Sequence, residues 1–140
     1  MTAPKVTRPD LIQPELSYKI VGALFSVYNE LGAGHHEKYY QRAVASALRD
    51  SGINFKEQVS IPLNFRGANI GRYQLDFLVE NKIVLELKKG DKFSKRNIDQ
   101  VLQYLKSSDL PLAILANFSS DKVSFKRIVN FEVPSSTNSA

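Results

Sequence analysis

A chain of 140 residues, 43% apolar and 24% charged, has the size and composition of one globular domain with room for a buried core. It contains no cysteine, which removes disulfides, thiolate metal sites and cysteine nucleophiles together. No apolar run approaches the ~20 residues that a membrane-crossing helix requires, so no membrane partner is expected. The formal charge of +5 and pI near 9.5 favour an anionic partner. Residues 1–10 have no apolar stretch of the secretory kind, and a cytoplasmic location is the simplest expectation.

Residues 1–13 contain two prolines and few apolar groups, which predicts an extended lead-in. A first helix is expected from Pro14, a residue suited to the first turn. Ile20, Leu24, Val27 and Leu31 recur along it at helical spacing, and Gly32 is placed to end it. A glycine-containing turn leads to a second helix through Ala43, Val44, Ala47 and Leu48, with Glu37 in its first turn. Phe55–Phe65 alternates apolar and polar residues as a strand does, 66–69 reads as a turn, and 70–79 as a second strand. After Glu80-Asn81-Lys82 a third strand covers Ile83–Leu87. Ser94 is an N-cap for a third helix with Ile98, Val101, Leu102 and Leu105 on its apolar stripe. Leu110–Asn117 is almost wholly apolar and suits a strand covered on both faces. Val123–Phe131 forms a last short strand, and 134–140 is a polar tail. The expectation is one domain over 14–133, α/β in composition: an αβββαβ core with a mixed sheet. The strand after the helical crossover returns parallel to an earlier one.

The stretch Tyr73–Gly90 carries the chemistry. In Ile83–Lys88 the period of two puts Ile83, Leu85 and Leu87 on one face and Val84, Glu86 and Lys88 on the other. A three-residue connection pairs Val79 with Ile83, and Asp76 then falls opposite Glu86. Two carboxylates so placed repel each other unless a cation lies between them, and a divalent ion with hard oxygen ligands meets that need. Glu-x-Lys on a strand also describes an ordinary solvated face. Asp76, set among Leu75, Phe77 and Leu78, is harder to place there, because a buried carboxylate is paired or coordinated.

An acidic residue on an early helix, Asp76, and then Glu86-x-Lys88, in this order of elements, resemble the PD-(D/E)XK nuclease superfamily. Gly34-x-x-Glu37-x-x-Tyr40 is similar to the motif of the GxxExxY proteins, a branch of it, and Gln100-x-x-x-Tyr104 is similar to the Gln-x3-Tyr motif of RecB-like nucleases. The resemblance covers residues 14–131. Leu75 stands where the family name has proline. The resemblance implies a restriction-endonuclease-like core and Mg²⁺, with Mn²⁺ as substitute, held by Asp76, Glu86 and the Leu87 carbonyl. Glu37 adds a carboxylate directly or through water. Lys88 orients or deprotonates the attacking water, and Gln100 and Tyr104 touch the phosphate or Lys88. The implied activity is hydrolysis of nucleic acid, DNA foremost, with a homodimer as one possible assembly.

Each residue also has a plainer reading. Glu37 would complement the helix dipole, and Gln100 and Tyr104 would be a polar pair beside the core. His35 and His36 lack the further ligands of a zinc site and read as turn residues. Tyr40 reads as packing, with its hydroxyl tied near the site. Lys92, Lys95 and Arg96 oppose the dipole at the start of the third helix, which makes better sense if a phosphate docks there. The rival functions are a non-catalytic nucleic-acid-binding module on the same fold and a protein-interaction domain.

Overall fold

The computed structural model describes residues 13–131. The tail expected over 134–140 and all of the lead-in but Gln13 lie outside the described residues. Helices α1 (Pro14–Leu31) and α2 (Glu37–Asp50) come first, then strands β1 (Phe55–Phe65), β2 (Ala68–Val79) and β3 (Ile83–Lys89). Helix α3 (Lys95–Ser108), β4 (Leu112–Phe118) and β5 (Val123–Val129) complete the order. The sheet runs β1-β2-β3-β4-β5 in space, with β3 and β4 parallel and the other neighbours antiparallel. The mixed α+β architecture is the expected one. Strand ends differ slightly: β2 begins at Ala68, inside the expected turn, and β4 begins two residues later than Leu110 because Pro111 precedes it.

Two cores flank the sheet. On one face α1 and α2 cover Phe77, Val79, Ile83, Leu85 and Leu87 with Ile20, Leu24, Val44 and Leu48. On the other, α3 sets Val101, Tyr104 and Leu105 against Leu75, Val84, Ala113 and Leu115. β3 and β4 are thus buried on both sides, which explains their near-continuous apolar runs. Ser94 accepts from the Asn97 N–H and caps α3 as expected. The β2–β3 turn closes through Lys82 N–H to Val79 O at 2.9 Å, with Glu80 and Asn81 both at positive φ.

The sheet has one irregularity at its centre. Residues two apart on a strand should share a face, yet Leu75 lies in the α3 core and Phe77 in the α1–α2 core. On the paired strand Phe55 and Val59 change sides in the same way. Between them sit Asp76 and Gln58, and Gln58 has φ 52, a conformation uncommon outside glycine. β1 and β2 therefore turn over together at Gln58 and Asp76. β3 pairs with β2 only over Phe77–Val79.

Candidate functional site

The β2–β3 register is the expected one: Val79 faces Ile83, Leu78 faces Val84 and Phe77 faces Leu85. The ladder then stops, at the point where Asp76 and Glu86 would pair. In its place the carboxylates bond to the opposite backbone. The Asp76 N–H donates to Glu86 Oε1 at 2.7 Å, and the Leu87 N–H donates to Asp76 Oδ2 at 2.9 Å. From α2, Gln41 Nε2 donates to Asp76 Oδ1 at 3.1 Å. Asp76 and Glu86 thus lie together where the strands part, each bonded to the backbone of the opposite strand.

Burial governs the electrostatics of this cleft. Glu86 is only 3% exposed, and burial, reinforced by the charge of Asp76, pushes its carboxyl up to about 8. The Asp76 N–H bond and the Lys88 charge oppose that shift, and Glu37 adds to it. Asp76 is also raised, first by burial and then by Glu37, against the Leu87 N–H bond and Lys88. Both carboxyls are therefore uncomfortable as anions, the condition a bound cation relieves. Tyr104, in the α3 core, is raised to about 12 by burial and by the charges of Glu86 and Asp76, while a hydrogen bond with Gln100 pulls the other way. Its ring meets Tyr73 edge-on at 4.6 Å.

Asp76, Glu86, Lys88 and the Leu87 backbone are thus brought together, with Glu37 near enough for its charge to act on both carboxylates and Tyr104 behind them. Gln100 is reached through Tyr104. A strand residue sends its N–H and C=O to the same side, so the Leu87 carbonyl faces the cleft that its N–H enters. Hard oxygens in this arrangement suit a divalent cation. Glu37 does not complete a cage: among the described residues no three His, Cys, Asp or Glu side chains are gathered closely enough to hold a metal. Two carboxylates, one carbonyl and water form the donor set that fits, and a metal that retains several waters suits it.

The glycine turn has a mechanical explanation. The Tyr40 hydroxyl donates to Gly32 O at 2.6 Å, and its ring stacks on Phe118 at 4.3 Å. Tyr40 is buried packing, as expected, and its hydroxyl secures the turn. His36 N-caps α2 by accepting from the Lys38 N–H, and His35 Nε2 lies 2.9 Å from Leu31 O. Glu37, the first residue of α2, is delivered toward the cleft by this clamp. Lys92, Lys95 and Arg96 are exposed near the start of α3, and Lys95 Nζ bonds Asp99 Oδ2 at 2.9 Å. Lys95 therefore has an intrahelical partner as well as any external one.

Sequence reasoning missed Gln41, although its place one turn beyond Glu37 is a signal. It also missed Tyr73 and Asn117. Asn117, buried beside Lys88 in the β3–β4 register, donates from Nδ2 to Gly90 O at 2.6 Å and holds the end of β3.

Comparison with known proteins identifies the family and the fold. The family model of the PD-(D/E)XK nuclease superfamily matches residues 14–128. This chain belongs to the PD-(D/E)XK nuclease superfamily. Among solved structures it is similar to the one titled "Crystal structure of SSO0001", with a TM-score of 0.51 and 19% identity. That match covers 69% of this chain and 50% of the other, so the chain spans about half the length of that protein, and the likeness is one of fold. No curated protein matches. As a superfamily member the chain carries the fold of nucleases that as a rule use divalent metals, and its Asp76 and Glu86-x-Lys88 occupy the parted strand pair described above.

Proposed function

We propose that this protein is a Mg²⁺-dependent nuclease that hydrolyses phosphodiester bonds of DNA. The observation that carries the reading is the pair of carboxylates, Glu86 buried and Asp76 half-buried, both raised in pKa and set where a β-ladder has opened. A fold gains nothing from two repelling acids, one buried and one half-buried, unless a cation joins them. Bound there, Mg²⁺ supplies charge stabilisation at the phosphate and eases deprotonation of water.

The chain's own residues take distinct parts. Asp76 and Glu86 would hold the cation, with the Leu87 carbonyl as a third donor, and Glu37 would act through an intervening water. Gln41 fixes the Asp76 carboxylate through Oδ1, so its orientation is set before any ion arrives. Lys88 shares the strand face of Glu86 and is half-buried. There it would orient the attacking water and offset charge at the scissile phosphate as a cation, or, having first lost its own proton, accept that of the water. Tyr104 and Gln100 form a linked pair behind the carboxylates and would steady the phosphate or Lys88.

The test is cleavage of plasmid and oligonucleotide DNA in Mg²⁺, Mn²⁺ and EDTA, with RNA alongside. Cleavage in either metal, abolished in EDTA and in Asp76→Asn, is expected. DNA binding without cleavage in any metal would overturn the nuclease reading in favour of a binding module.

A further inference from the structure

The β1–β2 pair outruns the rest of the sheet. The two strands stay paired from Phe55↔Val79 to Phe65↔Ala68, whereas β3 accompanies β2 only from Phe77 onward. Near its base this ribbon rests Val59, Ile61 and Tyr73 on the α3 core. Beyond Leu63, where the register shifts, every residue from Asn64 to Arg72 is exposed. Phe65 and Ile70 are 56% and 61% exposed, and the Arg66 guanidinium lies 4.9 Å from the centre of the Phe65 ring. From Gln58 to Leu75 the sequence has two arginines, Arg66 and Arg72, and no carboxylate.

We infer that this two-stranded arm docks in the major groove of duplex DNA and presents the scissile phosphate to the cleft at Asp76. The inference rests on the nuclease reading and adds its substrate class. Three observations support duplex DNA as the occupant. The arm is cationic and acid-free, so a second copy's arm would meet it with like charge, whereas phosphate would not. A two-stranded ribbon has the cross-section the major groove admits. And β2 is continuous from the arm to Asp76, so DNA lying along the one is led to the other. From Asp76 to Ala68 the strand spans about 27 Å at ~3.4 Å per residue, about eight base-pair steps at the ~3.4 Å DNA rise. Phe65 and Ile70 then cover thymine methyls or sugar edges in the groove, and Arg66 and Arg72 meet its phosphates.

The experiment reads binding in EDTA, so that cleavage plays no part. Wild type, Arg66→Ala/Arg72→Ala and Arg66→Lys/Arg72→Lys are titrated against a 25-bp duplex and the corresponding single strand across a salt series. Two lost phosphate contacts flatten the duplex salt slope by about two and weaken binding about 50-fold at 0.1 M salt. The lysine pair restores the slope, and single-strand affinity moves less than threefold. Unchanged duplex affinity, or equal loss on both substrates, overturns the arm's role. So does a dimer in sedimentation that Phe65→Ser/Ile70→Ser converts to monomer, which would make the arm a contact between copies. The two readings fail separately. Metal-dependent cleavage with arm-insensitive binding sinks the arm alone, and arm-sensitive duplex binding without cleavage in any metal sinks the nuclease alone.

Discussion

Glu86→Gln provides a decisive perturbation, because it removes a charge while keeping the volume and the acceptor that Asp76 N–H uses. In the unfolded chain this carboxyl titrates near 4.5, and in the fold near 8. The folded state therefore holds the proton more tightly. Its contribution to stability is fully present below about pH 4.5 and is lost as pH rises through 8. At ~1.4 kcal/mol per pH unit the full loss is about 5 kcal/mol, of which about 3 kcal/mol is already gone at pH 7. Glutamine does not ionise, so metal-free Glu86→Gln should match wild type near pH 4 and exceed it by about 3 kcal/mol at pH 7. For a chain of this length that is roughly 10 °C in Tm. Excess Mg²⁺ should reverse the order: wild type gains, its pH dependence flattens, and the variant gains little. Thermal melts in EDTA and in Mg²⁺ between pH 4 and pH 9 provide the readout. If the two proteins run parallel across that range in EDTA, or the variant is the less stable at pH 8, the account of Glu86 as a strained anion awaiting a cation is wrong.

Asp76→Asn should share the sign but gain less, because an amide has one oxygen to serve the two donors, Leu87 N–H and Gln41 Nε2; the same melts measure it. Lys88→Met should lower the cleavage rate by about 10²–10⁴-fold while changing duplex affinity in EDTA by no more than a few-fold, measured by single-turnover cleavage and anisotropy. Replacing Lys92, Lys95 and Arg96 by alanine should flatten the salt slope of DNA binding by about two rather than three, since Lys95 already has Asp99 as a partner; an unchanged slope would place the nucleic acid elsewhere. Tyr40→Phe removes the bond to Gly32 O and should cost about 1–2 kcal/mol, with a fall in cleavage that exceeds any change in DNA affinity.

The hairpin is legible in the sequence because its signals are local. Three polar residues between two runs of β-formers set the connection, and the connection sets the register, so counting residues is enough to pair Val79 with Ile83 and bring Asp76 level with Glu86. The layering of β4 is legible too, from an apolar run too continuous for a half-exposed sheet, whereas the full burial of β3 around Glu86 is not. The manner in which the carboxylates meet is not. A strand pattern assumes one face for residues two apart, and nothing at Gln58 or Asp76, neither glycine nor proline, signals that both strands turn over there. Gln41 is hidden for a different reason: its partner lies 35 residues away and is reached only by tertiary packing. The motif spacing around Gly34, Glu37 and Tyr40 is visible as a pattern, while its cause, a tyrosine clamping the turn against Phe118, needs three dimensions.

The turnover at Asp76 also explains how the site opens at the base of the arm. A strand that switches faces cannot keep its ladder with a neighbour that does not switch. β1 switches with β2 and stays paired, whereas β3 carries Leu85 and Leu87 in one core without a break. β2 and β3 must therefore part at this point. Parting frees the Asp76 and Leu87 backbone groups, which need partners when buried, and the two carboxylates supply the acceptors. It also releases β2 from β3 over residues 73–76, and beyond Tyr73 the β1–β2 ribbon runs on alone because β3 ends at Lys89. The change of face thus accounts for the site where the strands part, while the arm beyond Tyr73 is free because β3 ends at Lys89. A substitution that restored regular alternation, Gln58→Val with Asp76→Val, would close the ladder and remove the carboxylate pair, while residues 68–72, beyond the reach of β3, would stay without a third strand.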